Sequence, residues 1–394
     1  MGLLLTRIVE EYSATVGDRS DVDEIMRVAL VLQRIFGHQV LDPKWSLKKF
    51  FLHQTLTILL IIYVFFGTIQ VVKTTKDAEL IAEAGYTLVL LIICPLKLLL
   101  FLNNRSVFRQ LYVDAKSVLF DAIKKDSLEK SNEMLRQGSR VVYSLLAMVG
   151  FPIALYEMTT TWNYFNGKRS LLSKSTATLM PFITPYYEIS WFLHSIFMVE
   201  VSTIIIVMDM WFVILLYFFC EAVGTLVKKL NVTSRSKGES KYSYSQRLGE
   251  GLRGFYKAHV DQVRYLNNLN KMYKWLAFVP LCNAAMCICI VLLVLSKELN
   301  WRFAPHMIPL FTEIFVYSWF GEQIKTKTII LKTALINFDW INLQTKDKKR
   351  YHIIVSYMKK DFGIVTANGT DLSLITMTTV LKSSYQAYTV LQTV

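Results

Sequence analysis

Ionisable residues stand inside long apolar stretches of this sequence, among them Glu83, Lys97, Glu157, Glu200, Asp209 and Glu313. A charge in such surroundings costs several kcal/mol unless water or a partner meets it. Each therefore marks a watery crevice between helices or a pairing across them. Glu200 and Asp209 are nine residues apart, about half a turn out of phase on a helix, so they do not form one carboxylate site. Lys97 and Asp209 can neutralise each other if their helices meet. The usual catalytic spellings are absent: no HExxH, GxSxG or P-loop occurs, and the six histidines (38, 53, 194, 259, 306, 352) never fall at metal-ligand spacing. Cys287-Ile-Cys289 lacks a second ligand pair. Gly249-Glu-Gly251-Leu-Arg-Gly254 spells GxGxxG, but a polar run precedes it, and Lys271 and Lys274 lie near the position where a dinucleotide fold needs an acid. The chain does not read as an enzyme, and no cofactor or metal is expected.

The elements that carry these residues follow from composition. Of 394 residues 53% are hydrophobic and 19% charged, against roughly 25% charged in a soluble domain. The apolar residues gather in blocks about long enough to cross 30 Å of hydrocarbon. Seven are legible: Phe50–Val72, Ile81–Leu102, Val141–Thr161, Trp191–Cys220, Lys274–Leu295, Pro305–Ile324 and a weaker Leu372–Val394. The expected fold is all-α, a polytopic membrane protein of seven transmembrane helices in contact with membrane lipid. The last segment, interrupted by Ser, Thr and Lys382, needs protein neighbours or a water-filled lumen. All five cysteines lie in apolar blocks and read as buried thiols. Gly2–Leu5 is too short a run for a cleavable signal peptide, so the first membrane helix is expected to carry targeting. Met1–Thr6 fits a loose myristoylation pattern that arises easily by chance.

Orientation follows from Lys and Arg. The connections after segments two, four and six hold about four times as many basic residues as the other three, and their net charge equals the whole chain's +14. These connections are expected in the cytoplasm, which puts the N-terminus inside and the C-terminus outside, opposite to a G-protein-coupled receptor. The sequons at Asn104, Asn231 and Asn368 fall on the expected inside. The positive charge thus reads as topology, with no nucleic-acid partner. The expected organisation is a cytoplasmic segment 1–49, then helices one to four over 50–220, with a cytoplasmic helical connection 103–140 and an extracellular loop 162–190. A cytoplasmic helix and disordered loop follow over 221–273, helices five and six over 274–324, cytoplasmic anchor helices over 325–371 and the last helix over 372–394. Apolar residues recur at helical spacing from Phe108 to Ala122, from Phe255 to Leu269 and from Ile329 to Ile341. These stripes predict that the spans continue as a packed helical bundle in the cytoplasm. Asn231–Gln246, polar and without period, predicts a disordered loop. No internal repeat supports a transporter.

Several runs in the last third resemble the insect odorant receptors: Tyr317-Ser-Trp-Phe-Gly-Glu322, Leu335-Ile-Asn-Phe-Asp-Trp340, Ile364-Val-Thr-Ala367 and, above all, Val380-Leu-Lys-Ser-Ser-Tyr-Gln-Ala-Tyr-Thr-Val-Leu391. Met180-Pro-Phe182 is similar to the family's second extracellular loop. The family's proline near Lys360–Asp361 and phenylalanine near Met377 are missing, and the C-terminal signature of the related gustatory receptors is matched less well. The resemblance implies an odorant-tuning subunit of a ligand-gated, non-selective cation channel in the plasma membrane of an olfactory neuron's dendrite. It also implies a heterotetramer with a coreceptor subunit, in which the cytoplasmic ends of helices four to seven form an anchor. It places a small volatile organic ligand in the outer halves of helices two, three, four and six, where Gly85, Tyr86, Val89, Phe151, Ala154, Leu155, Phe192, Met198, Ser202 and Phe311 fall. Tyr86 or Ser202 would orient it. The pore constriction is implied at the end of the last helix, at Val390, Thr393 and Val394, with Tyr385 and Tyr388 packed behind. A gustatory-type channel, a heptahelical G-protein-coupled receptor and a transporter are the alternatives.

Overall fold

The computed structural model describes residues 21–38, 41–42, 46, 48, 51–170, 179–231, 235–297, 304, 307–358 and 362–393. Among them the chain is helical, with one isolated β-bridge between Val365 and Asp371. Two short helices, α1 (Asp21–Ile25) and α2 (Arg27–Ile35), precede α3 (Phe51–Thr74) and α4 (Ala78–Asn103). A short α5 (Arg105–Asp114), a π-helical stretch Ala115–Phe120 and α6 (Asp121–Asp126) lead into α7 (Leu128–Phe165). Then come α8 (Tyr186–Leu230), α9 (Lys241–Lys297), α10 (Met307–Ile336), α11 (Thr345–Tyr357) and α12 (Leu374–Thr393). By length and composition α3, α4, α7, α8 and α9 can each cross a membrane; the more polar α10 and α12 fall short of that measure.

Helix α8 is mainly apolar and is almost wholly buried from Glu200 to Leu226, as expected of a central helix, while its first turns leave Tyr186, Ile189, Phe192, Ile196 and Val199 exposed. Helices α3, α4, α7, α9 and α10 pack around it, and α12 lies against α9 and α10. Prolines interrupt α4 at Pro95, α7 at Pro152 and α9 at Pro280. Each removes one backbone donor, a loss that neighbouring helices tolerate in a membrane bundle. The start of α7 is fixed by Ser127, whose side chain accepts from the Lys130 amide at 3.2 Å.

On the side of the basic connections the helices overrun the apolar segments: α7 starts at 128, α8 ends at 230, α9 starts at 241 and α10 ends at 336. The expected helical continuation of the spans is therefore present. Phe108, Leu111, Tyr112, Ala115 and Leu119 are buried, as are Phe255, Val263 and Leu269. The third stripe is only half covered, because Leu335 and Phe338 are buried whereas Ile329, Ile330 and Ile341 are exposed. The loop expected over 231–246 is shorter than its polar composition suggested. Helix α9 already begins at Lys241, with Tyr244, Ser245, Leu248 and Leu252 forming its buried side. One cysteine departs from the expected burial: Cys282 is exposed. Met1–Thr6 lies outside the described residues.

The GxGxxG run lies inside α9 and has a packing explanation. A Cβ at Gly249 would stand 2.5 Å from Asp347 Oδ2. Asp347 on α11 is buried and accepts from Arg350 Nη1 at 2.8 Å and Arg253 Nη1 at 3.3 Å. The glycine lets α11 approach α9, and no phosphate loop exists here.

His259, nearly three turns beyond Gly249 on α9, is 3% exposed and stacks on Phe255, with Tyr357 and Phe362 at its edges. Neither ring nitrogen has a partner among the described residues. Burial holds its pKa down at about 4, below the ordinary 6.5. The unfolded chain therefore takes up a proton below about pH 6.5 that the folded one refuses until about pH 4. Stability present above pH 6.5 is lost across that window, by about 3 kcal/mol for the one ring. Thermal unfolding of the detergent-purified protein should show a shallower acid limb in His259→Phe. Parallel limbs for the two proteins would exclude this ring as the titrating group.

Candidate functional site

A cavity of about 140 Å³ lies between α4, α7, α8 and α10, with α9 closing one side. Helix α8 lines it with His194, Phe197, Met198, Val201, Ser202, Ile205 and Asp209, a repeat of three and four that lays one face of the helix along the wall. Helix α4 adds Glu83, Tyr86, Thr87 and Leu90, and α7 adds Leu145, Val149, Pro152, Ile153 and Tyr156. Helix α10 supplies Pro309, Leu310, Thr312, Glu313, Val316 and Tyr317, and α9 supplies Asn283. The walls are mainly aliphatic and aromatic, with a few polar groups, which is the usual make-up of a site for a small organic molecule.

One end of the cavity is ionic. Lys97 Nζ on α4 donates to Asp209 Oδ1 on α8 and to Glu313 Oε1 on α10, at 2.8 Å each. Tyr317 OH donates to the same Asp209 oxygen at 2.7 Å, and its ring stacks on Phe212 at 4.3 Å. The expected Lys97–Asp209 pair is thus present, with Glu313 as a third member. Glu200 points elsewhere, as its phase required: it accepts from the Thr57 hydroxyl and lies 3.9 Å from His38. Glu157 accepts from Trp191 Nε1 at 3.2 Å. No group of three His, Cys, Asp or Glu side chains suited to a metal ion occurs among the described residues.

Of the ten positions expected around a ligand, Tyr86, Met198 and Ser202 line this cavity. Gly85 faces Ile290 of α9 instead, and Val89 packs into the core away from the space. Phe151, Phe192 and Phe311 are exposed on the outside of the bundle, with Ala154 beside Phe151, and Leu155 is half-buried off the wall. The helices are the expected ones, but α7 and α10 are turned by about one residue, so that Pro152, Tyr156 and Leu310 stand where Phe151, Leu155 and Phe311 were placed. Asn283 on α9 was not foreseen at all. The usable signal was polarity: Glu83, Asp209, Asn283 and Glu313 all face the space, because a membrane helix turns its polar side chains inward.

On α12, Val390 is exposed, Thr393 ends the helix, and Val394 lies outside the described residues. Tyr385 is exposed and meets the half-buried Tyr388 at 5.9 Å, so it does not pack behind the helix as expected. The root of α12 is tied to α10. Gly321 abuts the backbone of Leu372, and the Leu374 amide donates to Glu322 Oε2 at 3.4 Å.

Residues 77–385 match the family described as 7tm odorant receptor. Odorant receptor 10 of Aedes albopictus is 19% identical over 337 residues, 84% of this chain and 88% of that protein. Odorant receptor Or2 of Anopheles gambiae is 21% identical over 166 residues, 41% of this chain and 43% of that one. The olfactory receptor OR5 of Machilis hrabei shares the fold, with a TM-score of 0.74 at 13% identity over 93% of this chain and 97% of that one. The same receptor in complex with eugenol superposes with a TM-score of 0.73 over 94% of this chain and 97% of that one, again at 13% identity.

Proposed function

The chain belongs to the 7tm odorant receptor family, and from that membership we propose that it is the tuning subunit of an odorant-gated, non-selective cation channel. As a family member it is a multi-pass membrane receptor, not an enzyme. The observation that carries the proposal is the mainly apolar cavity between α4, α7, α8 and α10. A volatile molecule has little surface to bury, and at about 25 cal/mol per Å² its transfer into such a space yields a few kcal/mol. Apolar burial alone thus gives about millimolar binding, and contacts with the polar groups of the wall have to add to it for higher sensitivity.

The route to a gate runs along α10. Glu313 and Tyr317 line the cavity, and Gly321, one turn past Tyr317, meets the chain just before α12. A ligand that fits better when α10 has shifted would carry the root of α12 with it, and the gain can be no larger than its differential affinity for the two states. In this reading α12 lines the pore, Val390, Thr393 and Val394 form its apolar constriction, and dewetting closes it. Exposed Ile329, Ile341, Ile375 and Val390 are consistent with further subunits around α10–α12, including a coreceptor. The basic connections support an N-terminus in the cytoplasm and a C-terminus outside, and family membership is the ground for placing the chain in the plasma membrane of a sensory dendrite.

Whole-cell current under a panel of volatile esters, ketones, alcohols and aromatics, with the chain expressed alone and beside a coreceptor, tests this. Odorant-evoked cation current without G-protein signalling supports it, and silence with the protein shown at the surface counts against it. Epitope accessibility at both termini separates the proposed orientation from that of a G-protein-coupled receptor. Val390→Ser, which wets the constriction, should raise the current flowing without odorant several-fold. Unchanged resting current would remove Val390 from the gate.

A further inference from the structure

We propose that the cavity selects small neutral molecules carrying a hydroxyl group, which donates to the Asp209–Glu313 carboxylates and accepts from the Asn283 amide. The inference rests on the reading of this cavity as the odorant site and names the chemistry of its ligand.

The ionic cluster shows the cavity only one of its faces. The side chains of Asp209 and Glu313 are each 10% exposed and line the space, whereas Lys97 is 1% exposed and does not. The ammonium stands behind the carboxylates, so this end of the wall presents acceptor oxygens. A donor comes from a different helix. Asn283 on α9 is 4% exposed and lines the same cavity. Its Oδ1 accepts from the Cys287 thiol at 3.3 Å, and its amide nitrogen donates to no described residue. Asn283, Asp209 and Glu313 line one cavity, which puts the donor and the acceptors around the same space. Much of the remaining wall, including Leu90, Val149, Ile153 and Val316, is apolar.

An aldehyde, ketone or ester can accept from Asn283, but it turns lone pairs on the carboxylates. A carboxylate ligand is repelled outright. An alkylammonium donates to the carboxylates yet sheds a tightly held hydration shell and leaves the Asn283 amide facing another donor. A hydrocarbon leaves both ends unmatched. A hydroxyl is donor and acceptor at once, and its neutrality suits the apolar remainder. Hydroxyl side chains in the wall, such as Ser202 and Tyr86, rotate to suit any of these ligands and do not discriminate.

The test uses one carbon skeleton with the polar group changed: pentan-1-ol, pentanal, pentylamine and pentane. Two readouts run in parallel, current from the chain expressed beside a coreceptor and thermal stabilisation of the purified full chain. Pentan-1-ol should act at concentrations at least tenfold below the other three, as expected of a hydrogen bond to a charged acceptor. Asn283→Leu, close in size, should weaken both pentan-1-ol and pentanal, which accept from this amide, while leaving the weak pentane response in place. Glu313→Gln should instead narrow the gap between pentan-1-ol and pentanal, and surface labelling shows whether it still folds. Equal potency of pentanal and pentan-1-ol, or an Asn283→Leu variant that weakens every probe alike, overturns the inference and leaves the channel reading standing. Alcohol-specific stabilisation without any current supports the inference and sinks the channel reading instead. Neither current nor stabilisation from pentan-1-ol overturns the inference.

Discussion

Replacing Lys97 with methionine is expected to strip most of the folded receptor from the cell surface. The side chain is fully enclosed and bonds Asp209 and Glu313 at 2.8 Å each. Methionine fills nearly the same space, so the variant isolates the charge from the volume. It leaves two buried carboxylates with only the Tyr317 hydroxyl to meet them. Removing one partner of a buried ion pair costs about 3–5 kcal/mol, against a total stability of about 5–15 kcal/mol for a typical domain. Neutralising the acids as well, in Lys97→Met with Asp209→Asn and Glu313→Gln, should restore much of the loss, because no uncompensated charge remains. Surface labelling and thermal unfolding of the purified chain read both effects. A Lys97→Met variant as stable and as abundant as the parent would show that the cluster holds nothing together.

The same cluster shows which parts of the site the sequence makes legible. A charge in hydrocarbon has to find its opposite, so Lys97 and Asp209 can be matched before any coordinates exist. Helix existence is equally plain, since long apolar runs leave the backbone no alternative in lipid. Phase is a different matter. Helix α8 is mainly apolar, so its pattern names no buried side. Phe151, Phe192 and Phe311 suit an odorant pocket by type, yet lipid accepts an outward phenylalanine without penalty, and all three face out. In water such exposure would be disfavoured and the phase would be readable. In a membrane the polar residues carry that information, and Glu83, Asn283 and Glu313 point to the cavity where those three phenylalanines do not. The start of α9 was hidden for a related reason. Ser240–Gln246 is polar enough to read as loop, and its helical register shows only through the spacing of Tyr244, Leu248 and Leu252.

Gly321→Ala is expected to damage the junction between the cavity and the last helix more than any other single-methyl change. A Cβ there would lie 2.4 Å from the Leu372 carbonyl oxygen and 2.6 Å from its carbon. These are backbone atoms, and they cannot swing aside. The Leu372 amide donates to the Ile364 carbonyl at 2.8 Å, the Thr366 amide donates to the Thr370 carbonyl at 2.9 Å, and Lys325 pairs with Asp371 at 3.1 Å. The methyl therefore forces α10 and α12 apart, and overpacking of this kind costs about 1–3 kcal/mol or more. Gly150→Ala in α7 is the matched control, since its Cβ would meet nothing within 4 Å. There the gain in helix propensity, about 1 kcal/mol, should stand alone. Under the proposed mechanism Gly321→Ala also separates binding from gating, because Glu313 and Tyr317 keep their places in the cavity while their link to α12 is lost. The expected result is a lower unfolding temperature, ligand stabilisation of the purified chain retained, and odorant-evoked current reduced at least tenfold after correction for surface protein. A variant that loses binding and current together would place the fault in the cavity, and one that keeps both would show that α10 does not drive α12 through this contact.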